Sequence, residues 1–120
     1  MANPFVHIEL STTDLSAAKS FYQSLFDWKL DDIDVGGRSY TMIDVGEGTG
    51  GGMMTHPMPG APSAWLPYVL VPDIVAATEK ARSLGATIIR EVMQVADAGS
   101  LSIIMDPTGA VLGLWQSKAH

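Results

Sequence analysis

One pattern, strand–helix–strand–strand–strand, is written twice along this chain. That repetition limits the possible folds more than any other feature. "FVHIEL" leads into the helical stretch "DLSAAKSFYQSLFDW", and "WLPYVLV" leads into a second one, "DIVAATEKARSLG". Asp14 opens the first and Asp73 the second, 59 positions apart, each a residue whose carboxylate can accept an orphan backbone N–H at a helix start. Leu15, Ala18, Tyr22 and Leu25 share one helical face, as do Ile74, Ala77, Ala81 and Leu84. Gly85 supplies a left-handed stop. Three further strand-like runs follow each helix: "WKLDDI", "RSYTMIDV" and "GGGMM" in the first half, "TIIREV", "SLSIIM" and "AVLGLW" in the second.

A module that cannot bury its own apolar face usually stacks on its copy. The expected fold is therefore α+β, with two tandem βαβββ modules whose antiparallel sheets each carry one helix and curl their other faces around a cleft. The expected organisation is a single domain over residues 1–120. Module 1–56 and module 63–120 are joined by the connector 57–62, inside the proline-rich "THPMPGAP". Alternation along the strands puts Val6, Ile8 and Leu10 on the packed face and Phe5, His7 and Glu9 on the cleft face. In the last strand Leu112 and Leu114 pack, and Val111, Gly113 and Trp115 face the cleft.

Composition removes several function classes. A net charge of −6, with seven Lys and Arg spread thinly, offers no basic stripe for nucleic acid. The absence of cysteine removes disulfides, thiolate metal sites and thiol nucleophiles, and fits a cytoplasmic location. The apolar runs are short and "MANPFVHIEL" has no basic leader, so neither a signal peptide nor a membrane partner is expected. "GEGTGGG" contains G-x-G-x-x-G, but "MMTHPMPG" follows it instead of the helix that a dinucleotide fingerprint requires.

The duplicated pattern, "HIELSTTDLSAAKSFYQSLFDW" and "DPTGAVLGLWQ" resemble the vicinal oxygen chelate superfamily of glyoxalases, bleomycin-resistance proteins and extradiol dioxygenases. The likeness covers essentially the whole chain and is nearest to small bacterial glyoxalase-like proteins. It implies a homodimer, a small-molecule ligand, and a divalent metal held by one side chain from the first and last strand of each module. Carried onto this sequence, those positions are His7, Pro67, Gly113 and Gly52, with Met53 the neighbouring register for the last. Three of the four lack a ligating side chain, and a catalytic metal site needs about three protein ligands. No cofactor is therefore expected, and the metal chemistry is not carried over.

The candidate residues keep their alternatives. His7 and Glu9, two apart on one strand face, suit proton transfer; the plainer reading is a satisfied polar wall. His56 would close a relocated His7–Glu9–His56 metal site for Zn, Ni, Mn or Fe; the plainer reading is a loop histidine. Trp65, Trp115, Met54 and Met58 could wall an apolar ligand site or belong to core or a dimer contact. Gly52 and Gly113 would leave room between those walls. Phe5 and Val111 complete the candidate lining, Trp28 is placed at the helix-to-strand corner, and the terminal His120 is expected to fray.

Three functions follow. The first is a metal-free protein that binds a small hydrophobic or aromatic molecule. The second is a metal-free isomerase or lyase using Glu9 and His7, and the third a lyase or dioxygenase with the relocated metal site.

Overall fold

The computed structural model describes residues 2–35 and 37–118; His120 lies outside them. In chain order the elements are β1 (Phe5–Thr12), α1 (Leu15–Leu25), β2 (Lys29–Val35), β3 (Arg38–Asp44), β4 (Gly51–Thr55), β5 (Ala64–Leu70), α2 (Ile74–Ser83), β6 (Thr87–Val95), β7 (Gly99–Met105) and β8 (Val111–Ser117). The chain forms two compact units, His7–Leu66 and Met1–Val6 with Pro67–His120. The division between these units falls inside β1 and β5. Two hydrogen bonds tie the N-terminal residues to β5: Leu70 N–H donates to Pro4 O at 2.9 Å, and Asn3 Nδ2 donates to Leu70 O at 2.9 Å.

Both helices begin as their sequences predict. The Asp14 carboxylate accepts from Ala17 N at 3.0 Å, and the Asp73 carboxylate accepts from Ala76 N at 3.0 Å. At α2 a second orphan donor, Ile74 N–H, reaches the Gln116 side-chain oxygen at 2.7 Å. Gly85, with φ +101°, ends the helix in the left-handed region that favours glycine. Asp73→Ala should therefore lower stability by about 1 kcal/mol, measured by urea unfolding. Loss of the Gln116 contact as well, in Asp73→Ala/Gln116→Ala, should cost more than either change alone.

The strand order is β2-β3-β4-β1 in the first half and β5-β8-β7-β6 in the second. β2–β3 and β3–β4 are antiparallel hairpin pairs, and β1 pairs with β4 in parallel, with Glu9 opposite Gly52. The second half repeats this arrangement, with β5 parallel to β8 and Tyr68 opposite Gly113. The sheets are thus mixed rather than wholly antiparallel. The helix returns the chain so that β2 runs with β1, and two reversals leave β4 running the same way. β6 carries register shifts between Ile88 and Arg90 and between Arg90 and Met93, so its face alternation is interrupted.

Each helix covers one sheet face. In the first half Leu10, Ile43 and Met53 form the core, with Leu15, Ala18, Tyr22, Trp28, Leu30 and Val45 packed around them. Ile8, expected on this packed face, is instead exposed at its margin. Lys19 on α1 bonds both Asp32 oxygens at 2.8 and 3.0 Å, and Thr41 Oγ1 donates to the same carboxylate at 2.6 Å. These donors hold the Asp32 carboxyl below its ordinary range, the Lys19 bond first. In the second half the core is Val71, Ile74, Ile104 and Leu114. There the buried Thr78 hydroxyl donates to Ile74 O at 2.6 Å and meets Ser102 Oγ at 2.8 Å, joining α2 to β7 without an unsatisfied group.

Candidate functional site

The face of the first half turned away from α1 carries a polar group built from three strands' worth of sequence. His7 and Glu9 stand on β1, Gly52 is opposite Glu9 on β4, and Tyr40 reaches over from β3. A Cβ on Gly52 would overlap the Tyr40 hydroxyl and the end of its ring. The glycine is what lets that ring lie flat on the sheet.

The Tyr40 hydroxyl donates to Glu9 Oε2 at 2.8 Å and lies 2.7 Å from His7 Nε2. Its single proton is directed at Glu9, so Nε2 carries the imidazole proton and donates to the Tyr40 oxygen. The two rings are also stacked, 6.2 Å apart and 24° from parallel. All three side chains are half-buried, and burial lowers the pKa of His7 below its ordinary value of 6.5. The sign of the resulting pH dependence follows directly. The unfolded chain takes up the proton first, so His7's contribution to stability is complete above about pH 6.5 and is lost as pH falls toward the lower folded value. Urea midpoints of the protein and of His7→Gln should therefore converge between pH 7.5 and pH 5.

The second half repeats the device with a different partner. Tyr68 holds the position on β5 that Glu9 holds on β1, and its ring covers Gly113. By the same pairing, the counterpart of His7 is Leu66, one residue before the expected Pro67. Neither can ligate a metal. Met53 is fully buried in the core, which assigns the last-strand position of the first half to Gly52. Tyr40 and Tyr68 were not singled out from sequence. Their signal was a bulky residue on one strand beside a glycine on its neighbour, visible only once the register is known.

The remaining candidates are dispersed. Trp65 joins the aromatic group on the α1 side, with its ring 5.4 Å from Tyr22 and 6.4 Å from Trp28. Trp28 stacks on Tyr22 at 5.7 Å, at the helix-to-strand corner. Met54 is half-buried on β4 with the parity of Gly52. Phe5, Val111 and Met58 are exposed. Trp115 shares the Gly113 face of β8 and donates from Nε1 to Ser117 Oγ at 3.3 Å. The space expected above Gly52 and Gly113 is filled by Tyr40 and Tyr68, because aromatic rings from neighbouring strands pack onto bare backbone.

His56 is held by its own loop: its backbone N–H donates to Thr12 O at 2.8 Å and its Nδ1 accepts from Met58 N at 3.1 Å. Among the described residues no three His, Cys, Asp or Glu side chains converge in a way that could hold a metal ion. Between the two donors that do come close, His7 and Glu9, stands the Tyr40 hydroxyl, bonded to both. The donor set does not fit a divalent metal centre.

The sequence model of the glyoxalase/bleomycin resistance protein/dioxygenase superfamily matches residues 5–114. The chain belongs to that superfamily. It is 41% identical over 121 residues to CFP32 of Mycobacterium tuberculosis, which carries a provisional glyoxylase name; the match spans 94% of this chain and 45% of CFP32. It is 24% identical over 123 residues to the anthracycline biosynthesis protein DnrV of Streptomyces peucetius, spanning 90% of this chain and 45% of DnrV. This superfamily member thus spans less than half the length of either curated relative. Among solved structures, a hypothetical protein of Bacillus halodurans matches with a TM-score of 0.76 at 15% identity, over 100% of this chain and 98% of that one. Methylmalonyl-CoA epimerase from M. tuberculosis matches with a TM-score of 0.70 at 15% identity, over 96% and 88% of the two chains. At that identity the structures establish a shared fold and nothing finer. Among the described residues, no helix is long and apolar enough to cross a membrane.

Proposed function

We propose that this superfamily member binds a small organic molecule without a metal, on the face of its first half that carries His7, Tyr40 and Glu9. The observation that carries this reading is the Tyr40 hydroxyl resting over Gly52, bonded at once to an imidazole and a carboxylate. A phenol fixed between an imidazole and a carboxylate is a preorganised polar group that a ligand hydroxyl or carbonyl can engage. Ile33 stands opposite Tyr40 on β2, and Met42 lies two residues along β3; both are exposed and give apolar footing beside the polar group. The relatives' names (glyoxylase, epimerase, anthracycline biosynthesis) belong to proteins of small-molecule metabolism, which supports the ligand class. A homodimer, a cytoplasmic location, and the organisation as modules 1–56 and 63–120 joined by 57–62 are part of the same proposal.

The unbroken chain from His7 through Tyr40 to Glu9 favours a second reading, metal-free proton transfer. The ligand's proton passes to the Tyr40 oxygen while the phenol proton passes to Glu9 Oε2, and the electron pair of the broken bond stays on the ligand. Reversing both transfers returns the proton to the same or another ligand atom, which is an isomerisation. His7 orients the phenol and donates into its oxygen throughout.

The two readings separate in Tyr40→Phe and Glu9→Gln. Calorimetric screening of carbonyl- and hydroxyl-bearing aromatic compounds should find a ligand whose affinity drops about tenfold in Tyr40→Phe, the loss of one hydrogen bond to a partly buried group. If turnover exists, Glu9→Gln should abolish it and leave binding in place. Equal affinity in the native chain and Tyr40→Phe would place the ligand elsewhere.

A further inference from the structure

A second feature, independent of the polar group, lies within the unit His7–Leu66, on the α1 side of the sheet. A pocket of about 200 Å³ is walled by Trp28, Trp65, Ile8, Ile43 and Val45, with Thr49 and the glycines at 50 and 51 completing its edge. We infer that it is a binding site for a neutral, single-ring aromatic molecule.

Size is the first argument. The volume suffices for one ring, since an apolar cavity of about 150 Å³ is large enough to take up benzene. The walls supply the second. The Trp28 and Trp65 rings are 81° apart with centroids at 6.4 Å, so together they offer a third ring one face and one edge. Tyr22 backs both of them and Phe26 lies 4.9 Å from Trp28, so the tryptophans are braced from behind. Charge supplies the third, since no ionisable side chain lines the pocket and a charged ligand would be desolvated without a partner.

Access is open. Ile8 and Trp65 are 37% and 39% exposed, and α1 has no fully buried residue, so the helix does not seal this side of the sheet. The corresponding face of the second half meets α2 through aliphatic side chains and alanines, without aromatic walls. The aromatic lining is a property of the unit His7–Leu66.

The test is titration of the full chain with 4-fluorotoluene, followed by the probe's fluorine NMR signal and by thermal unfolding. The native chain should give saturable binding and a raised Tm. Val45→Phe fills the pocket and should weaken binding at least about tenfold while circular dichroism shows an intact fold. If Val45→Phe fails to fold, Trp65→Leu, which removes one wall, should show the same loss. Absence of saturable binding in the native chain up to the probe's solubility overturns the inference. So does unchanged affinity in the folded Val45→Phe or Trp65→Leu variant.

Discussion

Replacing Met53 by alanine is expected to cost about 2–5 kcal/mol, the range for truncating a large buried side chain that leaves a cavity behind. Met53 is fully buried and packs with Leu10 and Ile43 beneath α1. Its neighbour Met54 points to the other face and is only half-buried, so Met54→Ala should stay well below that cost. The pair is a direct test of the β4 register, because a one-residue slip would exchange the two outcomes. Urea unfolding should show a lower midpoint for Met53→Ala with an unchanged slope, since the surface exposed on unfolding is nearly the same. A midpoint for Met53→Ala equal to that of Met54→Ala would mean that the core of the first half is assembled differently. It would also remove the assignment of Gly52 to the polar face.

Gly113→Ala is expected to be the next most damaging change, at about 1–3 kcal/mol for overpacking. The added methyl would run into the flank of the Tyr68 ring, at Cδ2, Cε2 and Cγ, and Tyr68 is only 3% exposed. A buried ring struck along its flank cannot swing clear without displacing its neighbours. Gly52→Ala meets a different obstacle, the hydroxyl end of a half-buried Tyr40, which can rotate outward. It should therefore cost less stability while breaking the bonds from Tyr40 to His7 and Glu9. The check is a double-mutant cycle. In a Tyr68→Ala background Gly113→Ala should become close to neutral, giving a coupling energy of about the whole single-mutant cost. Additive effects would show that the ring and the glycine do not share that space.

Seen together, the twin glycines describe how this chain departs from the metal-binding pattern its superfamily resemblance implies. At both last-strand positions a glycine stands under a tyrosine, and in the first half the phenol has become the bridge between an imidazole and a carboxylate. Glu9, costly to bury alone, is satisfied by that phenol. His7 gives up basicity to burial. In the proposed reading, hydrogen bonds hold this group where the resemblance implies an ion, and this is why proton movement through Tyr40 is the chemistry to look for.

Much of this protein follows from local patterns. Asp14, Asp73 and Gly85 mark helix ends because caps and left-handed stops act within a few residues of sequence. The duplicated element order follows from hydrophobic spacing, and the identity of His7 and Glu9 as same-face neighbours follows from a period of two. Contacts between strands distant in sequence lay beyond those patterns. Tyr40 is 31 residues from Glu9 and 33 from His7, so only the β3–β4–β1 pairing could bring the three together. The same holds for Trp65, which residue type grouped with Trp115 as a candidate ligand wall but whose ring packs on Tyr22 and Trp28. Short-range sterics and periodicity are encoded residue by residue, and the sequence alone determined the elements and their faces. Which ring fills the space above a glycine depends on register across strands, and that only the tertiary structure decided.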